Sequence, residues 1–359
     1  MIPEPHTTTL GPGDRLGRYE ILHALGVGGM AEIYLARITG IESFERRVAL
    51  KRMKPSLARN RSYQMMFLDE ARLQALLHHG NIAQAHELCF DGESYFYAME
   101  YVRGLDLRRL MRRCWANGIP FPADHAARVA IETAAGLHAA HEAIDHDGTP
   151  ANIIHRDVSP ANILLSMDGC VKLIDFGVAK AARRQTETDA GQAKGKVSYM
   201  SPEQCRGIEV DRRADVFALG IVLWELTVGR RLFTGKTDYE ILDNIAFVRV
   251  PAPSAVVAGY PLELEAIVMR CLALDPARRY PTAEALQLDL ESYALRTRLC
   301  PSSASLGGFV RAMAMRPAVR LELEIVGTPS EQTPVFDATA FDDRERVARP
   351  IRAPTLRGW

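Results

Sequence analysis

The chain has 359 residues, 47% of them hydrophobic, and its 44 Lys+Arg balance 44 Asp+Glu to a formal net charge of zero. That length can bury a sizeable core spread over two or three domains or lobes. Neutrality argues against a non-specific binder of nucleic acid or anionic membrane, while leaving room for a local basic patch.

The opening MIPEPHTTTLGPGD has no basic stretch followed by an apolar run, so it does not read as a signal peptide, and residues 1–18 read as a flexible leader. From Tyr19, YEILHALGVGGMAEIYLARI has the pattern strand, glycine-rich turn, strand. Glycines at such a turn let backbone amides close on a phosphate, because no Cβ intrudes; an ordinary hairpin turn fits the same residues. A strand follows the glycines and no GK[ST] is present, which excludes a Rossmann fingerprint and a Walker loop. The next strand, RRVALKRM, carries Lys51. In the helix expected over residues 63–77, Met66, Phe67, Leu73, Leu76 and Leu77 form an apolar stripe interrupted by Glu70. A carboxylate there is most simply explained as the partner that fixes the Lys51 ammonium. Leu88, an Asp91-Gly92 turn and residues 95–101 then give a further hairpin.

Residues 107–146 are helical in pattern, broken at NGIPFPAD, with an alanine-rich helix over 127–141. His138, His141 and His146 have no acidic or cysteine partner at ligand spacing, so a metal site is not expected there. The six cysteines, Cys89, Cys114, Cys170, Cys205, Cys271 and Cys300, are scattered without a CxxC and read as reduced structural thiols of a cytoplasmic protein. In IIHRDVSPANILLSMDGCVKLIDFG, residues 153–177, two strand-like segments (163–165 and 171–174) join through a Ser-Met-Asp-Gly turn, and each abuts a polar loop. The apolar run over 216–226 is cut by Gly220 and Glu225 and is shorter than the roughly 18 residues of a membrane span. It reads as a core helix of a soluble protein, or of the cytoplasmic part of something longer.

HRDVSPAN at 155–162 and DFG at 175–177 resemble the catalytic loop and magnesium motif of the eukaryotic-type protein kinases, and GGMAEIY and YMSPEQ are similar to the bacterial Hanks-type serine/threonine members. The resemblance spans residues 19–298 and implies an α+β bilobal kinase fold: a small antiparallel sheet lobe with one helix and the hinge over 19–102, and a larger, mainly helical lobe over 103–298. Residues 299–359 are then a partly disordered C-terminal tail.

Carried over position by position, the resemblance implies ATP and Mg²⁺ (with Mn²⁺ as a substitute) as cofactors and Ser/Thr-bearing proteins as substrates, including this chain after self-association. Neither nucleic acid nor a membrane segment is implied. Gly26, Gly28 and Gly29 would close over the phosphates, and Leu25, Ile33, Ala49 and Leu164 would enclose the adenine, with Met99 as gatekeeper. The main chain of Glu100 and Val102 would face the adenine edge. Asp106 would accept from the ribose, or simply cap the helix that follows it. Lys51, paired with Glu70, would hold the α/β-phosphates. Asp157 would orient the substrate hydroxyl, and Asn162 and Asp175 would supply oxygen ligands for Mg²⁺. His155 fits a structural hydrogen-bonding role. Arg156 marks a kinase ordered by activation-loop phosphate, with Thr186 and Thr188 as the candidate sites. Glu203 and Arg279 match the ion pair that latches the activation segment, and Asp215 the buried support of the catalytic loop.

Three residues depart from the pattern. Ser159 stands where a lysine usually steadies the γ-phosphate, Lys196 replaces a threonine, and Gln74 falls on the apolar column linking the lobes. Either Lys196 returns the charge that Ser159 lacks, whose uncompensated loss would cost roughly 10²-fold in rate, or it is a solvated loop lysine. The same departures keep a nucleotide-binding pseudokinase or scaffold as the alternative function; the threonine lost at Lys196 is one that usually accompanies a Ser/Thr preference, while HRDVSPAN remains unlike the HRDLAARN loop of tyrosine kinases. A small-molecule kinase would have no reason to keep the activation segment and SPE element.

Overall fold

The computed structural model describes residues 9–176, 197–247, 250–299 and 301–316. Its smaller lobe is a six-stranded antiparallel sheet in the order β1-β2-β3-β4-β6-β5. The strands are β1 (Arg15–Leu16), β2 (Tyr19–Val27), β3 (Ala31–Thr39), β4 (Glu45–Met53), β5 (Ala85–Phe90) and β6 (Tyr95–Glu100). Helix α1 (Arg61–Leu76) packs against it, started by Asn60, whose side chain accepts from the amides of Ser62 and Tyr63. Its buried residues Met66, Phe67, Glu70, Ala71 and Gln74 recur at helical spacing. Leu73 and Leu76, expected on that stripe, instead pack on a separate cluster with Leu77, Ile82, Ile153 and Phe176. The helix thus serves two apolar surfaces, one in each lobe.

The leader reading of residues 1–18 is corrected for its second half. Leu16 is 3% exposed and joins Tyr19, Ile21, Tyr34 and Phe96 in a core under the sheet. Arg15 and Leu16 pair with Glu20 and Tyr19, and the Leu10 amide donates to the Tyr34 hydroxyl at 3.2 Å. One buried leucine and a two-residue ladder are enough to tie this segment down.

The larger lobe begins with β7 (Gly104–Asp106), α2 (Leu107–Ala116) and α3 (Ala123–His141), followed by the hairpin β8 (Ile163–Ser166) and β9 (Val171–Leu173), which pairs in the order β7-β8-β9. After it come α4 (Pro202–Cys205), α5 (Arg213–Val228), α6 (Asp238–Phe247), α7 (Leu262–Cys271), α8 (Ala283–Thr297) and α9 (Ser303–Ala314). Helix α5 is buried from Ala214 to Thr227 and ends at Gly229, whose φ of 81° gives the left-handed cap that a side chain would strain. No helix among the described residues is long and apolar enough to cross a membrane.

Helix α9 falls within the span expected as a partly disordered tail, and corrects that expectation for residues 303–314. It lies so close to the β8–β9 turn that a Cβ on Gly307 would stand 2.5 Å from the Met167 carbonyl, and one on Gly169 1.9 Å from that of Ser303. Arg113 caps its C-terminal carbonyls at Met313 (2.7 Å) and Ala314 (2.5 Å), Arg311 donates to the Met167 carbonyl, and Phe309 packs edge-on to Phe121.

Candidate active site

Strand register places the first half of the site. Lys51 on β4 stands opposite Ile33 on β3 and Tyr97 on β6, at the middle of the sheet. Only 8% exposed, its ammonium pairs with Glu70 of α1 and with Asp175 Oδ1 at 2.7 Å. Burial pushes the lysine pKa down, but the charges of Asp175 and Glu70 outweigh it and hold the pKa well above its ordinary value. The Tyr97 hydroxyl donates to Glu70 Oε1 at 2.7 Å, fixing the carboxylate. Tyr97 escaped the sequence reading, although alternation along β6 puts it on the same face as Met99.

Beside this ion cluster, Leu25, Ile33, Ala49 and Met99 belong to one apolar cluster with Phe67 and Ala71. At the β2–β3 turn the Gly28 amide donates to the Ala31 carbonyl at 2.7 Å, and a Cβ on Gly26 would meet nothing within 4 Å. Glu100 commits its amide to the Gln84 carbonyl at 2.8 Å and its carboxylate to Lys172 at 2.9 Å, whereas the Val102 backbone makes no hydrogen bond among the described residues. Leu164 lies half-buried on β8 between Asp106 and Lys172. Asp106 caps α2 by accepting from the Arg109 amide at 2.8 Å, the simpler of its two readings.

The second half of the site is held by backbone. Asp215, 1% exposed at the start of α5, accepts from the His155 amide (2.8 Å), the Arg156 amide (2.8 Å) and His141 Nε2 (2.8 Å). Burial alone would raise its pKa, yet the hydrogen bond and charge of His141, with the hydrogen bond from the His155 amide, keep it below the ordinary aspartate value. His141 therefore serves Asp215, and no group of three or more His, Cys, Asp or Glu suited to a metal occurs among the described residues. Arg156 adopts φ 60°, a conformation costing a non-glycine residue roughly 1 kcal/mol or more. Its peptide is gripped from both sides, by Asp215 and by Gln204, whose amide donates to the Arg156 carbonyl at 3.1 Å.

Asn162 donates to the Asp157 carbonyl and to Asp157 Oδ2, both at 2.9 Å, which orients Asp157 and leaves the Asn162 amide oxygen as the free end. His155 accepts from the Asp157 amide at Nδ1 (3.3 Å) and faces the Ile174 carbonyl at Nε2 (3.2 Å), so the neutral tautomer with its proton on Nε2 satisfies both. Its ring rests against Phe176 at 4.5 Å. Asp175 takes φ 57°, a left-handed turn that follows β9. Glu203 and Arg279 form a buried bidentate pair at 2.7 and 2.9 Å. Burial would raise the Glu203 carboxyl, but Arg279 holds it below its ordinary value.

Gln74 is fully buried and donates to the Ala83 carbonyl at 2.9 Å, while its Oε1 has no partner among the described residues. It pins α1 to the loop ahead of β5, a polar link where an apolar column was expected. The backbone carbonyl of Ser159 accepts from the Asn162 main-chain amide at 2.9 Å, a bond that does not involve the serine hydroxyl. Lys196, Thr186 and Thr188 lie outside the described residues.

This lobe arrangement, with a buried Lys51–Glu70 pair joined to half-buried Asp175 and with an Asp-Asn loop held by Asp215, is that of a protein kinase. The protein kinase domain profile matches residues 19–290, so the chain belongs to that family. It is 44% identical over 296 residues to the tyrosine-protein kinase MasK of Myxococcus xanthus, covering 82% of this chain and 46% of MasK. To the serine/threonine-protein kinase PrkC of Bacillus subtilis it is 34% identical over 276 residues, 77% of this chain and 40% of PrkC. The chain thus spans less than half the length of these curated relatives. The crystal structure of the Mycobacterium tuberculosis PknI kinase domain superposes with a TM-score of 0.59 at 25% identity, over 79% of this chain and 99% of that one. These matches place the chain among the bacterial Hanks-type kinases.

Family membership implies ATP and Mg²⁺. The residues fit that pair: Asn162 and Asp175 offer oxygens, the donors hard cations prefer, and the half-buried Val102 backbone has uncommitted hydrogen-bonding groups.

Proposed function

We propose that the chain catalyses transfer of the ATP γ-phosphoryl group to side-chain hydroxyls of proteins, serine and threonine first, including its own through association of two copies. The observation that carries this reading is the buried Lys51–Glu70 pair with half-buried Asp175, together with the Asp157–Asn162 pair. Bound Mg-ATP would supply the phosphoryl group and the charge that neutralises its oxygens. Lys51, positioned by Glu70, would bind the α/β-phosphates, and the amides of Gly26, Gly28 and Gly29 would cover them. Leu25, Ile33, Ala49, Met99 and Leu164 would enclose the base, the Glu100 and Val102 main chain would read its edge, and Asp106 would reach the ribose. Asn162 and Asp175 would hold the metal. Asp157 would align the acceptor hydroxyl and take its proton late, because the transition state asks more for alignment than for a strong base.

A second reading, tyrosine as an acceptor, is favoured by Ser159 in place of the usual lysine and by the name of the 44% identical relative. Incubation with Mg-ATP followed by phosphoamino-acid analysis separates the two. Wild type should incorporate phosphate, and Asp157→Asn should lose about 10³-fold in turnover while still binding ATP. ATP binding without incorporation by wild type would leave a nucleotide-binding scaffold. If Lys196 replaces the missing loop charge, Lys196→Met should lower turnover far more than ATP affinity.

A further inference from the structure

Helix α2 carries four arginines, and they divide into two pairs. Arg109 is paired with Asp106 at 3.1 Å, and Arg113 caps α9. Arg108 and Arg112, one turn apart and therefore on one face, are both exposed and make no side-chain hydrogen bond or ion pair among the described residues. The Arg108 amide donates to the Pro160 carbonyl at 2.9 Å, which sets this face beside the loop that bears Asp157. From the opposite side comes Arg231, its guanidinium 5.2 Å from the ring centroid of Tyr199, in the turn that leads into the SPE element.

These charges sense one another. The surrounding protein, and then the like charges of Arg108 and Arg231, hold Arg112 below its usual pKa even though it reaches solvent. Nearby carboxylates are committed. Asp106 serves Arg109 and the helix cap, and buried Glu225 is taken by the Tyr199 hydroxyl (2.7 Å), the Leu232 amide (3.1 Å) and Arg231 (3.3 Å). Arg231 keeps Glu225 as its counterion, but Arg108 and Arg112 have no ion-pair partner among the described residues, and two such like charges beside the Asp157 loop are unfavourable in the free protein and become favourable when an anion arrives.

We infer that Arg108, Arg112 and Arg231 form a recognition surface for acceptor segments in which acidic side chains flank the hydroxyl; this rests on the proposed phosphotransfer at Asp157. The chain's own candidate acceptors have that chemistry: Thr186 and Thr188 alternate with Glu187 and Asp189. The acidic segment of a second copy of this chain is the occupant the charges fit.

The test uses the full chain with Mg-ATP and three peptides, RRQTETDAGQ and its versions with Gln and Asn, or with Lys and Lys, at the two acidic positions. Wild type should favour the acidic peptide in kcat/KM by about tenfold, the sum of two or three exposed charge pairs, and the preference should shrink with added salt. Arg108→Glu with Arg112→Glu should reverse the preference towards the Lys peptide while KM for ATP stays put. Equal use of the three peptides by wild type, or an unchanged preference in the double variant, would overturn the inference, as would phosphate entering the chain but none of the peptides. Failure of both chain and peptides to incorporate phosphate would instead sink the phosphotransfer reading on which it depends.

Discussion

Lys51 and Asp157 are fixed in different ways. Lys51 meets carboxylates from two other elements, Glu70 of α1 and Asp175 beyond β9, so its position depends on three segments staying in register. Asp157 sits on a loop whose peptides are bonded to a single buried carboxylate, Asp215, at the start of a helix that is buried almost throughout. The upper half of the site is an assembly of charges that movement of α1 can open. The lower half is built into the core, and opening it means damaging the lobe.

The sharpest way to break this contrast is Asp215→Ala. It leaves the His155 and Arg156 amides and His141 without their acceptor, and should lower unfolding free energy by about 3–5 kcal/mol in a urea titration, with activity lost as well. A variant of near wild-type stability would show that the loop holds itself. Glu70→Gln should behave differently: Lys51 keeps Asp175 and Tyr97 keeps an acceptor, so stability should fall by no more than about 1–2 kcal/mol while turnover drops about 10-fold to 100-fold. A stability loss matching that of Asp215→Ala would erase the distinction.

Titration probes both halves with signs that can be worked out. Asp215 and Glu203 have folded-state pKa values below their unfolded ones. Their stabilisation is complete above the ordinary carboxylate range, about 4, and is lost as pH falls through the depressed values. Lys51 is raised, so its share is complete below about 10.4, the ordinary lysine value, and is lost only as pH rises through the higher folded value. Thermal melting from pH 7 to 9 should therefore show no loss from these three groups, and Glu203→Gln should flatten the acid limb. The smallest effect expected is at the surface: Arg72→Ala, which breaks an exposed pair with Asp69 at 3.2 Å, should change stability by about 0.5 kcal/mol or less.

Much of this arrangement was legible in local pattern, and the rest depended on contacts that pattern does not encode. The strand-turn-strand at residues 19–39, the helix with Glu70 in its stripe and the hairpin after Asn162 all follow from periodicity and turn residues. Tyr97 was passed over because a tyrosine in a strand reads first as apolar bulk, and only the meeting of β6 with α1 reveals its hydroxyl on Glu70. Leu16 sits among prolines and glycines that read as a loop, yet one side chain fitted under a sheet outweighs that composition. Helix α9 lies in the span read as a partly disordered tail, and Gly307, a poor helix former by propensity, is the residue that lets the helix approach the Met167 carbonyl.

Helix α9 also bears on where this protein can be cut. The family profile's match ends at residue 290, and a fragment trimmed at Arg298, just past α8, would resemble a complete kinase on paper. Such a fragment would uncover the Phe121 ring and the His125 edge that Phe309 and Ser305 now cover, and would free the back of the β8–β9 turn. The profile boundary falls inside α8 and the packing boundary lies beyond α9, and the second is the one a soluble, cooperative fragment would have to respect.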